Sequence, residues 1–177
     1  MDCPQCKGYQ LEPSELETGL IVNQCAKCEG SLIPLMNYRY WADQTPAENT
    51  NTETDVVAED NKQAKFCPKC SRLMTKFKIE NDSSNKLEFC AGCDEVWLDS
   101  GEWQLLRELG LHTHLPRIFT DAWQRNLRVQ QREMHLKENY RKRLGDEAFS
   151  KADDFKSWLE CQPERIQIIQ YLSIRRD

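Results

Sequence analysis

Cys67-Pro68-Lys69-Cys70, followed after 19 residues by Cys90-Ala91-Gly92-Cys93, is the stretch that decides the fold, and Cys3-Pro4-Gln5-Cys6 with Cys25-Ala26-Lys27-Cys28 repeats it at an 18-residue interval. Two residues between thiolates let one tight turn present both sulfurs to a single ion. The longer interval suffices for a β-hairpin whose far end returns the second turn, close to the four-cysteine spacing read as tetrahedral zinc. Each set is expected to be a small β zinc ribbon: Cys3, Cys6, Cys25 and Cys28 hold one Zn2+, and Cys67, Cys70, Cys90 and Cys93 hold a second. Iron in a rubredoxin-like site is the nearest competitor, because a thiolate tetrahedron accepts either ion. A disulfide framework is disfavoured. It suits small secreted domains, no secretory apolar segment is seen before Cys3, and nine cysteines are an odd number.

The repeat extends beyond the ligands. A shift of 64 or 65 residues lays Ser31-Leu32-Ile33 on Val96-Trp97-Leu98 and Tyr38 on Trp103, so each ribbon is expected to run into a short helix bearing an aromatic residue. Between the halves, Gln44 to Lys62 is rich in Asn, Thr, Glu and Asp and reads as a flexible acidic linker. The expected organisation is ribbon 1 over 1–44, linker over 45–64, ribbon 2 over 65–110 and a helical tail over 111–177, an α+β protein.

At the end of ribbon 2, Asp99 with Glu102 forms a capping-box pattern, and Gly110 stands where a helix would end. From Arg117 to Leu144 no Pro or Gly interrupts, while Phe119, Trp123, Leu127, Met134, Tyr140 and Leu144 trace a partial apolar stripe, which predicts one long helix. Two shorter helices are expected from Ser150 (Ala152, Phe155, Leu159) and from Pro163 (Ile166, Ile169, Leu172). Their apolar positions read as core, and Cys161 reads as a buried free thiol.

Charge narrows the function. The formal net charge is -5, and two four-thiolate zinc sites would take it to about -9, a field that repels phosphate backbones in general. Only 107–145 is basic, at +5, against -3 for 1–44 and -4 for 45–64. No run of about 18 apolar residues is present, so no membrane span is expected. Unpaired Cys-x-x-Cys thiols fit a reducing, cytoplasmic setting.

The run Phe89-Cys90-Ala91-Gly92-Cys93-Asp94-Glu95-Val96-Trp97-Leu98-Asp99-Ser100-Gly101-Glu102, with Phe66-Cys67-Pro68-Lys69-Cys70 before it, resembles the transcription-factor-IIB-type zinc-ribbon family. The Trp-Leu-Asp-x-Gly-Glu segment is its specific part. The resemblance implies the same eight cysteines as zinc ligands. The whole chain also looks like a two-ribbon subgroup whose helical tail carries Trp158-Leu159, Pro163 and Tyr171-Leu172, for which the resemblance implies no reaction. Where the family commonly has Gly-Gly after the last cysteine, this chain has Asp94-Glu95 and Glu29-Gly30. A non-glycine residue in such a left-handed position costs about 1 kcal/mol.

The leading functional reading is a non-enzymatic protein-interaction or scaffold module with an unidentified protein partner. The alternative is a nucleic-acid-binding, transcription-related protein that uses the basic 117–144 helix, where Arg125, Arg128, Arg132, Arg141, Lys142 and Arg143 could meet phosphates. Catalysis at the metal is disfavoured because a catalytic zinc keeps one position open. His112 and His114 read as a polar connection, His135 as surface, and Glu80 with Asp82 as part of the turn at the second hairpin tip. Thiol redox work is also disfavoured, since no thioredoxin-like βαβ pattern surrounds the cysteines.

Overall fold

The computed structural model describes residues 1–45 and 63–174; of the expected linker, 46–62 lie outside the described residues. The chain is a mixed α and β protein, with a six-stranded antiparallel sheet and six helices among the described residues. It divides into two units, Met1–Arg128 and Val129–Asp177.

In the first unit, β1 (Leu11–Glu17), β2 (Leu20–Cys25) and β3 (Ser31–Pro34) precede α1 (Leu35–Gln44), and β4 (Thr75–Lys78), β5 (Lys86–Cys90) and β6 (Glu95–Leu98) precede α2 (Glu102–Glu108). The strand order is β1-β2-β3-β6-β5-β4, so the sheet is continuous where β3 meets β6. There Ser31 pairs with Leu98, Leu32 with Trp97 and Ile33 with Val96. Alternation along the strands divides the residues between two faces. Leu20, Val22, Ile33, Leu87, Val96 and Leu98 enter one core with Tyr38 and Trp41 of α1 and Trp103 and Leu106 of α2. Leu32 and Trp97 turn the other way, into a second cluster with Leu11, Met74 and the cysteines.

The capping-box reading of α2 is half correct. The Glu102 carboxylate accepts the Asp99 N–H at 2.8 Å, but the Asp99 side chain is engaged by Lys65 and Trp97 instead of the helix. Gly110 ends the helix at φ +64, with Leu111 N–H donating to Leu106 and Gly110 N–H to Arg107, a Schellman arrangement.

The single helix expected over 117–144 is broken in two, α3 (Leu115–Ile118) and α4 (Asp121–Leu144). Thr120 makes the break: its hydroxyl accepts the Trp123 N–H at 3.2 Å, an N-cap that starts a new helix without Pro or Gly. Trp123 then donates to the Ile79 carbonyl at 3.0 Å, Gln124 donates to the Lys78 and Ile118 carbonyls, and Leu127 is buried. The start of α4 is thus fixed on the end of β4.

α4 continues into the second unit, which also holds α5 (Asp146–Glu160) and α6 (Arg165–Leu172). α5 begins four residues before the expected Ser150. Gly145, at φ +79, allows an immediate restart, and Asp146 and Glu147 complement the new helix N-terminus. The expectation of a core here is corrected, since neither α5 nor α6 buries a residue. Cys161, expected to be buried, is exposed at the end of α5.

Gly30 shows how close the packing is between the halves. A Cβ there would fall 2.3 Å from Trp97 Cζ2 in the indole. Gly30→Ala is therefore expected to cost about 1–3 kcal/mol by overpacking, read as a lower urea midpoint. Gly92→Ala serves as comparison: its Cβ would meet only the guanidinium end of Arg72, which can swing away, so the loss is smaller.

Candidate metal centres

The turn at each cysteine pair is built from backbone bonds that bring the sulfurs inward. Glu29 N–H donates to the Cys25 carbonyl, Asp94 N–H to Cys90 and Ser71 N–H to Cys67, at 2.8–2.9 Å. Closing these turns puts three non-glycine residues in the left-handed region, Glu29 and Asp94 at φ +57 and Ser71 at φ +56.

The Glu29 and Asp94 side chains make contacts between the halves. Arg39 of α1 holds Asp94 with both guanidinium nitrogens, at 2.6 and 3.3 Å, and Ser100 donates to Glu29 at 3.1 Å.

These turns bring all eight predicted cysteines together in their predicted fours. In each group the ligand atoms lie within 4.8 Å of one another, the first cysteine of each pair buried and the second half-exposed. The Cys3 and Cys28 sulfurs stand 3.7 Å apart and those of Cys70 and Cys90 3.6 Å. A tetrahedron with metal–sulfur bonds of about 2.3 Å has edges of about 3.8 Å, so each group could hold one metal ion. All nine thiols are free.

The thiols of each group are differentiated. Burial pushes Cys3, Cys28 and Cys67 up. Cys25 is held at about 7, because N–H groups of Cys28 and Lys27 and the facing thiols outweigh its burial. Cys70 also lies at about 7, chiefly through the Arg72 N–H, and hydrogen bonding with Cys70 pushes Cys93 up to about 12.

No protein-family model, curated protein or solved structure matches the chain.

The other candidates stay apart from the cysteines. His112 is buried between Trp41 and Trp103, each ring centroid 6.4 Å away, while His114 and His135 are exposed. Glu80 and Asp82 lie in the loop between β4 and β5, and neither joins a metal-capable group among the described residues. Burial and the nearby Asp82 push the Glu80 carboxyl up. Of the six basic residues singled out, all on α4, Arg141 pairs with Asp146 and Lys142 with Glu138; Arg125, Arg128, Arg132 and Arg143 enter no ion pair among the described residues.

Sequence reasoning missed a buried charge network beside the second cysteine group. Lys65, only 2% exposed, donates to Glu88 at 2.9 Å and to Asp99 at 2.7 Å, and Lys76 reaches Glu88 at 3.2 Å. Trp97 Nε1 donates to the other Asp99 oxygen. The legible sign was Glu88 two residues before Cys90, on the strand face of that cysteine. Glu102 lies deeper. Burial pushes its carboxyl up to about 8 against the opposing pull of the Asp99 N–H.

Two outcomes follow from this geometry. Cys90→Ser should lower bound metal from two ions per chain to one, as counted by inductively coupled plasma mass spectrometry. Glu102 binds its proton more tightly folded than unfolded, so its contribution falls as pH rises from about 4.5 to about 8. Relative to wild type, Glu102→Gln should therefore gain stability across that window, by up to about 1.4 kcal/mol per pH unit, measured by urea unfolding at several pH values.

Proposed function

We propose that this chain is a cytoplasmic, non-enzymatic zinc protein of the transcription-factor-IIB-type zinc-ribbon family, acting as a protein-interaction scaffold. In this reading Cys3, Cys6, Cys25 and Cys28 bind one structural Zn2+, and Cys67, Cys70, Cys90 and Cys93 bind the other. Residues 1–44 and 65–110 are then two ribbons, each running into a helix, related by an internal repeat. The sheet order supports this: strands 1-2-3 meet 6-5-4 in mirror sequence, and the seam pairs Leu32 with the Trp97 that the repeat lays on it.

The observation that carries the reading is the closure of both sites. Four sulfurs within 4.8 Å of one another would fill all four positions of a tetrahedral ion and leave none for substrate or activated water, which is the arrangement of a structural zinc. The metal's role is then folding energy, about 10–16 kcal/mol per site. No helix among the described residues is long and apolar enough to cross a membrane.

Nucleic-acid binding through α4 is the second reading, favoured by the four arginines that enter no ion pair among the described residues. The negative charge of the chain as a whole opposes it.

The test is metal analysis of the native protein followed by chelation. Two zinc ions per chain, colourless protein, and loss of the sheet signal in circular dichroism on chelation are expected. Coloured, iron-bearing protein, or a fold indifferent to chelator, would overturn the zinc assignment. An electrophoretic shift with RNA or DNA at about 50 mM salt, where phosphate contacts are strong, would promote the second reading over the scaffold.

A further inference from the structure

Among its described residues, the unit Val129–Asp177 has no core of its own. No described side chain from 129 to 174 is buried, yet twelve large apolar ones stand between 42% and 67% exposed. α6 is the extreme case. Ile166, Ile169, Tyr171 and Leu172 are all at least half exposed, and its apolar residues are distributed all round the helix. A helix apolar on every side is ordinarily buried, and eight residues are too few to hold a helix alone.

The exposed area is large enough for a partner. Half-exposed residues of this size offer on the order of 100 Å² each, hence on the order of 1,000 Å² together, against about 800 Å² per partner in a stable complex.

Charge says which partner. From Val129 to Leu144, five Lys and Arg against two Asp and Glu leave +3; α5 has two against five, leaving -3; residues 129–174 sum to zero. With the last three residues, Arg175, Arg176 and Asp177, the unit carries only +1; a unit so close to neutral with exposed apolar surface is prone to associate, and one with a basic helix beside an acidic helix is complementary to itself. A contact of α5 with α5 would repel, whereas α4 with α5 attracts.

The faces match. α4 meets its own α5 with one side: Lys137 pairs with Asp153 at 3.3 Å, Arg141 pairs with Asp146 at 3.1 Å, and Arg141 lies over the Phe149 ring. At about 100° per residue, Val129, Leu136, Tyr140 and Leu144 fall in a sector of about 80° centred about a quarter turn from that side. On α5, Phe155 and Trp158 lie opposite Phe149 and Asp153, their rings 5.3 Å apart. Arg132 and Arg143 border the first stripe and Asp154 the second, and none of the three enters an ion pair among the described residues.

We propose that a second copy of this chain covers these faces, the Leu136–Tyr140 stripe of α4 in each copy lying on the Phe155–Trp158 stripe of α5 in the other. Two equal contacts related by a two-fold axis result, with α6 closing over them. The proposal does not depend on the metal assignment, since this unit holds none of the eight paired cysteines.

Sedimentation equilibrium of the metal-loaded full chain should give twice the 20.8 kDa chain mass at micromolar concentration. Leu136→Glu and Trp158→Glu should each weaken association at least about tenfold, about 1.4 kcal/mol, while Met36→Glu on α1 leaves it unchanged. Mixing the first two variants rebuilds one intact α4–α5 contact, so the mixture should dimerise more strongly than either variant alone. A wild-type monomer, including one that captures a different protein, would overturn the proposal. So would a mixture no stronger than the separate variants.

Discussion

Trp97 lies opposite Leu32 where β3 meets β6, and both side chains are fully buried in the cluster that contains the cysteines. Burying side chains of this size stabilises by about 1.5–3 kcal/mol each, but their position matters more. β3 and β6 would otherwise each present an open edge, with unpaired N–H and C=O groups along it. Pairing them converts two three-stranded pieces into one sheet and brings Ile33, Val96 and Leu98 into a single core under α1, α2 and α3. The indole needs the space that Gly30 leaves.

The halves are alike at the cysteines and unlike around them. Lys65, Glu88 and Asp99 form the buried network of the second half; the residues 64 or 65 positions earlier in the chain are Met1, Asn23 and Pro34. A buried ion pair gains little over an apolar pair of similar volume, yet removing one partner leaves a buried charge uncompensated. Here it ties the residues just before Cys67 to β5 and to the end of β6, so the turn that holds Cys67 and Cys70 is anchored from the side. In the first half the residues around Cys3 are instead held by the Asp2–Gln10 bridge and by the Cys3 N–H donating to the Tyr9 carbonyl.

Several boundaries were legible because they are local. Gly110 ends α2 as its position suggested, and α4 ends at Leu144, just before Gly145. Thr120 was not legible as a break, because a threonine inside an apolar period reads equally well as a helical residue until its hydroxyl is seen to accept the Trp123 N–H. Apolar periodicity in α5 and α6 identified helices but not what covers them, and Phe155, Ile166 and Cys161 are exposed where a core was expected. The carboxylates of Glu29 and Asp94 read as departures from a glycine pattern; in the folded chain they bond Ser100 and Arg39 of the opposite half.

The sequence by itself determined the two groups of four cysteines, because a two-residue spacing and a hairpin-length interval are constraints of the local chain. It determined most of the helices for the same reason. Only the tertiary structure decided that β3 and β6 join, that Trp97 fills the place left by Gly30, and that Lys65 is buried among carboxylates. Each of these depends on shape and charge matched between residues tens of positions apart, and no local period or spacing encodes such a match.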